Sequence, residues 1–222
     1  MNAKGSIAWL IFAILFFCVQ LQAAEMKLET ASSMPEGVPS SLAALFQQPG
    51  ARVLTGEGKV WCELWVRKEL PKAAQPAAPK AKYGDLYTGL LVGLMNFPAN
   101  ASDYRGQQVK AGTYTLRYAL IPQDGNHMGA SPILDFLLLT PIQEDNQAAD
   151  AEIAFKDLII LSRKTTGTNH PAAILMSHPP ESISQPALEQ DDLEHWFYKT
   201  KVQLKPSGEL LLGVVVFGKS EG

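Results

Sequence analysis

Apolar and polar residues along this chain repeat mostly with the period of two that marks half-buried β-strands. From Thr113 to Ile121, Tyr114, Leu116, Tyr118 and Leu120 fall on one face, and Thr113, Thr115 and Arg117 on the other. His195 to Leu204 alternates in the same way and puts Trp196, Tyr198, Thr200, Val202 and Leu204 together. Between Lys59 and Lys68 the better core face holds Val60, Cys62, Leu64 and Val66, and the opposite face holds Trp61, Glu63, Trp65 and Arg67. Thr88–Phe97 and Phe136–Thr140 read as further strands, as do the shorter Ala51–Thr55 and Ala172–Met176. Leu210 to Phe217 is almost unbroken in its apolarity, which predicts a strand buried on both faces.

Turn residues punctuate these runs, with Gly56-Glu57-Gly58 and Pro206-Ser207-Gly208 the clearest. Two stretches predict helices. Ser40 and Ser41 cap a short one that runs to Gln48 and stops at Pro49-Gly50. A longer one spans about Ala151 to Arg163, capped by Asp150 or Asp157. Phe155, Leu158, Ile159 and Ser162 lie along one side, and Gly167 lies beyond its end. Glu25–Pro39 reads as irregular. Pro71–Lys82, made of Pro, Ala, Lys and Gln, has no period and predicts an exposed loop within one domain. The sum is a mainly β chain: a β-sandwich, jelly-roll-like, with one or two short helical insertions, and α+β as the alternative.

Residues 1–24 are of a different kind. Lys4 precedes an apolar run from Ile7 to Val19, and Ala23 and Ala24 precede Glu25. That order reads as a cleaved secretory signal peptide. The run is shorter than the about 20 residues of a membrane span. Residues 25–222 then form a single secreted or periplasmic domain. The alternative is an anchor, through an uncleaved N-terminus or a lipid on Cys18, although the bulky Phe17 sits where a lipid signal needs a small residue. With the leader gone Cys62 is the only cysteine, so no internal disulfide forms.

Charge narrows the partners. The chain has 19 basic and 22 acidic residues, and loss of Lys4 with the leader makes the balance more negative still. No basic stripe exists to neutralise phosphates, so nucleic acid is not an expected partner.

The segment from Gly112-Thr113-Tyr114 through Gln123-Asp124-Gly125-Asn126-His127-Met128-Gly129 to Ser131-Pro132 and Asp135-Phe136 resembles a group of uncharacterised secreted bacterial β-rich proteins. Their mark is a Gly-Thr-Tyr strand start followed by a Gln-Asp-Gly-x-His-Met-Gly loop. The resemblance covers about thirty residues closely. It implies a secreted β-rich domain and no assigned activity.

Three sets of residues are candidates for chemistry. Trp61 and Trp65, flanking Glu63, are candidates for a sugar-stacking platform, because the apolar face of a sugar packs on an aromatic ring. Packing beneath a helix or loop is the competing expectation. Asp124, Asn126 and His127 crowd one loop with polar groups suited to ligand contacts. Asp124, His127, Asp135 and His170 are the candidate metal ligands, for calcium or zinc. Asp124, Asn126, Gly129 and Asp135 match positions of a calcium loop, but Met128 replaces an oxygen ligand and the flanks are strands. No cofactor is required by any motif. The Gly-x-Ser-x-Gly elbow, the His-Glu-x-x-His pair and the phosphate-binding glycine loop are all missing. The expectation is a non-catalytic binding or interaction module for a carbohydrate or an envelope protein. A metal-dependent hydrolase built on the 124–135 loop and a structural envelope component are the alternatives.

Overall fold

The structure is a computed structural model that describes residues 25–75, 78–122 and 133–218. Its elements follow the chain as β1 (Lys27–Ala31), α1 (Ser40–Ala43), β2 (Gly50–Leu54), β3 (Val60–Val66), β4 (Glu69–Pro71), β5 (Leu91–Phe97), β6 (Ala101–Ser102) and β7 (Gln108–Val109). β8 (Gly112–Leu120), β9 (Asp135–Pro141), α2 (Phe155–Thr166), β10 (Ala173–Leu175), β11 (Ala187–Gln190), β12 (Trp196–Lys205) and β13 (Glu209–Phe217) complete them.

The fold is mainly β and sandwich-like, with two helices. Seven strands form one antiparallel sheet in the order β1-β2-β3-β5-β8-β9-β10, a meander in which chain order and spatial order agree. A second sheet has the order β11-β12-β13, and β4 adds to β12 in parallel. The backbone joins the two sheets at two corners. β3 runs through Arg67 and Lys68 into β4, so one stretch of chain serves both. Beyond β10, Met176 bridges to Val214 of β13.

The main core fills the space between the sheets. Leu64, Leu116, Tyr118 and Leu139 meet Val202, Leu212 and Val214 there. The alternation expected for β12 is present: Tyr198, Thr200, Val202 and Leu204 are buried, and Gln203 and Lys205 are exposed. Burying leucines and valines from both sheets is the main stabilising term, about 1.5–3 kcal/mol for each fully buried side chain.

The other face of the larger sheet is also covered. Phe46, just beyond α1, packs with Trp65, Leu91, Leu94 and Ile142. Leu158 of α2 and Ile153 before it pack on Ala119, Phe136 and Leu138. The polar face of β8 is therefore enclosed rather than solvated, with Thr115 and Arg117 both buried.

Several boundaries differ from the sequence expectation. Residues 25–39 are not wholly irregular, because Lys27–Ala31 pairs along β2. α1 is four residues long rather than reaching Gln48. The chain after it turns extended instead, and Gln47 N–H donates to Val66 O while Lys68 N–H donates to Leu45 O. Ala154, not Asp150 or Asp157, holds the N-cap position of α2, while Asp157 sits in its first turn. Asp150 is taken up by Arg67, 2.5 Å away. Gly167 does end α2, at φ 67°, with its N–H donating to Arg163 O. Pro71, where the expected loop begins, is the last residue of β4, and the described residues of 71–82 are exposed or half-buried.

Candidate functional site

Two irregularities in strand pairing meet at one end of the sandwich. Between β2 and β3 the register steps from Val53↔Cys62 to Leu54↔Val60, which leaves Trp61 as an extra residue. Between β12 and β13 it steps from Trp196↔Phe217 to Phe197↔Val215, which leaves Val216 as an extra residue. A β-bulge bends its strand and re-aims the side chain there. The two bulges are joined, since Trp61 Nε1–H donates to Val216 O at 2.7 Å. The indole stands edge-to-face against Phe217 at 5.1 Å and against Phe97 at 6.3 Å.

Beside this joint lies a cavity of about 330 Å³. Trp61, Tyr104 and Phe217 provide its aromatic wall, Ile174 and Val215 add apolar surface, and Ser102 and Glu194 add polar groups. Tyr104 is placed by the turn between β6 and β7. Asp103 is buried at the start of that turn, and its carboxylate accepts from the N–H groups of Arg105, Gln107 and Ala173 and from Gln107 Nε2. Tyr104 N–H donates to Ala173 O, which fastens the turn to β10.

Another part of the rim is the turn from β11 to β12. Asp191 organises it: Oδ1 accepts from Leu193 N–H and His195 N–H, and Oδ2 lies 3.1 Å from His195 Nδ1. Glu194 has φ 63°, and among the described residues no other non-glycine has a positive φ. His195 is buried behind the rim, with its ring against Tyr104 and Phe197. Gly218 is required beside it, because a Cβ there would come within 2.3 Å of His195 Cδ2.

The residues expected from the sequence are scattered. Trp61 and Trp65 do not form one platform. The bulge at Trp61 breaks the alternation, so its ring joins the core between the sheets while Trp65 faces the outer layer. Trp65 is 1 % exposed and offers no surface for a sugar. Glu63 is held by Arg52 at 2.8 Å and accepts from Asn96 Nδ2 at 3.1 Å. Packing beneath the α1 segment, the competing expectation, is what Trp65 does.

Asp135 is likewise a structural anchor and not an open metal ligand. It is fully buried, and its oxygens accept from Lys82 N–H at 2.9 Å, Tyr83 N–H at 3.0 Å and Tyr118 Oη–H at 2.7 Å. His170 is exposed and lies toward the other end of β9. Ala172, two residues after it, accepts from Leu139 N–H, four residues along the strand from Asp135. At about 3.3 Å per residue that is roughly 13 Å, too far for one ion to join them. Asp124, Asn126 and His127 lie outside the described residues. Among the described residues no three His, Cys, Asp or Glu side chains converge as a metal would require.

Comparison with protein-family models, curated proteins and solved structures finds no match to this chain. The cleft therefore stands on its geometry alone. Glu194, Ser102 and Phe217 are not among the site candidates read from the sequence. Their nearest signal is Asp191-Asp192-Leu193-Glu194, a polar turn between two strand-like runs, and nothing in it points to Trp61.

Proposed function

We propose that the protein is a secreted or periplasmic binding module that takes a small ligand, or a side group of a larger one, into the cleft between Trp61, Tyr104 and Phe217. The observation that carries this reading is the paired bulge at Trp61 and Val216, joined by a hydrogen bond at the cavity wall. Bulges are over-represented beside binding sites because they re-aim side chains. A cavity of about 330 Å³ is within the usual range of small-molecule sites, which are apolar with a few convergent polar groups. Export is supported by the Lys4, Ile7–Val19, Ala23-Ala24 pattern. A neutral saccharide or a small organic cation fits the aromatic wall, as part of an envelope polymer or as a free molecule.

Tryptophan fluorescence tests the reading, with Trp61→Phe identifying the responding indole. Titration with neutral saccharides and with small amines is expected to give a saturable change that disappears in Trp61→Phe and Phe217→Ala. A flat response from every compound, with the protein folded, overturns it.

A further inference from the structure

Resting on that assignment of the cleft, we propose that its ligand carries an organic ammonium group, held by Glu194 and the aromatic wall. The described residues that line the cavity include electron-rich ones, the aromatic Trp61, Tyr104 and Phe217 and the acidic Glu194. No Lys or Arg is among the described residues that line it. Aromatic faces carry negative potential and attract ammonium ions, most strongly where water is partly excluded. Among the described lining residues, an anionic ligand would meet repulsion from Glu194 and from the ring faces.

Two further observations concern Glu194. Lysines balance many surface carboxylates of this protein: Lys72 meets Asp85, Lys164 meets Glu144, and Lys201 meets Glu209. Among the described residues no hydrogen bond or ion pair joins the side chain of Glu194 to another group, and the residue is exposed, so its charge is available to a ligand. Its backbone also holds φ 63°, a region where glycine or asparagine is at ease and a glutamate is not. The turn keeps a long carboxylate at the rim at a conformational cost. Trp61 adds directionality. Its one N–H is already given to Val216 O, so towards a ligand the indole acts through its ring.

The test compares choline with its uncharged carbon isostere, in which a tert-butyl group replaces trimethylammonium, and with methyl glucoside. Titrations use the purified chain and read tryptophan fluorescence and calorimetry. Choline is expected to bind at least about tenfold more tightly than the isostere. Raised salt and Glu194→Gln should each weaken choline and leave the isostere unchanged, with circular dichroism confirming an unaltered fold. Equal binding of choline and isostere overturns the cation assignment while keeping the cleft as a binding site. Saturable binding of methyl glucoside without choline does the same in favour of a sugar. Binding of none of the three overturns the cation assignment, and the wider ligand set above then decides the fate of the cleft.

Discussion

Asp145 grips Arg117 with both carboxylate oxygens, at 2.7 Å from Nε and 2.9 Å from Nη2, and the two side chains are 0 % and 1 % exposed. The remaining guanidinium hydrogens go to the carbonyls of Gly89, Ala148 and Gln147. Thr115 Oγ1–H also donates to Asp145. This pair fastens the segment between β9 and α2 across the polar face of β8. A buried charge is tolerated only when it is paired and fully hydrogen-bonded.

Asp145→Ala is therefore expected to lower the unfolding free energy by about 3–5 kcal/mol, because it strands Arg117 in a dry site. Arg117→Met combined with Asp145→Leu should cost much less than either single change to alanine. Urea unfolding of the three variants checks this. A single-variant loss below that of the double variant would show that the guanidinium reaches water by another route.

Gly50 and Trp65 are locked in shape. A Cβ on Gly50 would fall 2.3 Å from Trp65 Nε1. Gly50→Ala is expected to destabilise by about 1–3 kcal/mol through overpacking. Adding Trp65→Phe, which removes the colliding ring, should restore part of the loss. Denaturant midpoints of the single and double variants measure the coupling.

Asp135 offers a test that separates anchoring from metal binding. Asp135→Asn keeps the shape but turns an N–H₂ group toward the backbone donors of Lys82 or Tyr83, leaving a buried donor unpaired. A loss of about 1–3 kcal/mol follows. Tyr118→Phe, which removes only one donor, should cost about 1 kcal/mol. Thermal melting of both variants should respond in the same way with and without a chelator.

Alkaline pH should weaken the fold. Burial, with the Asp135 carboxylate adding to it at Tyr118, pushes the Tyr83 and Tyr118 hydroxyls above the ordinary tyrosine range. Burial also pushes the Cys62 thiol up. Each group is neutral when folded and ionises more readily when unfolded. Stability is then fully present below the unfolded values, about 8.5 for the thiol and about 10 for the phenols, and falls as pH rises beyond them. Urea midpoints between neutral pH and the phenol range should fall with pH, and Tyr118→Phe should flatten the fall. Cys62 should resist thiol reagents until the chain unfolds.

Much of the fold was legible in the residues. Alternation in β8 and β12, the apolar run of β13 and the glycine that ends α2 are local patterns. They reflect the two-residue pleat of a strand and the left-handed cap of a helix. β1 was missed because Lys27-Leu28-Glu29-Thr30-Ala31 carries too few apolar residues to show a core face. Its place depends on pairing with β2. The proposed site was barely legible. Trp61 was noticed, but with Trp65 as its partner instead of Phe217, which lies 156 positions along the chain.

By itself, then, the sequence determined a β-rich chain, an apolar run from Ile7 to Val19, an acidic charge balance and the strands that could make a core. Tertiary structure decided which faces were covered, where Asp135 and Arg117 found their partners, and which way Trp61 pointed. The reason is physical. Periodicity is a property of neighbours a few residues apart, whereas a bulge arises when two strands pair out of step. A single extra residue at Trp61 and another at Val216 turned two ordinary strands into the wall of a cleft.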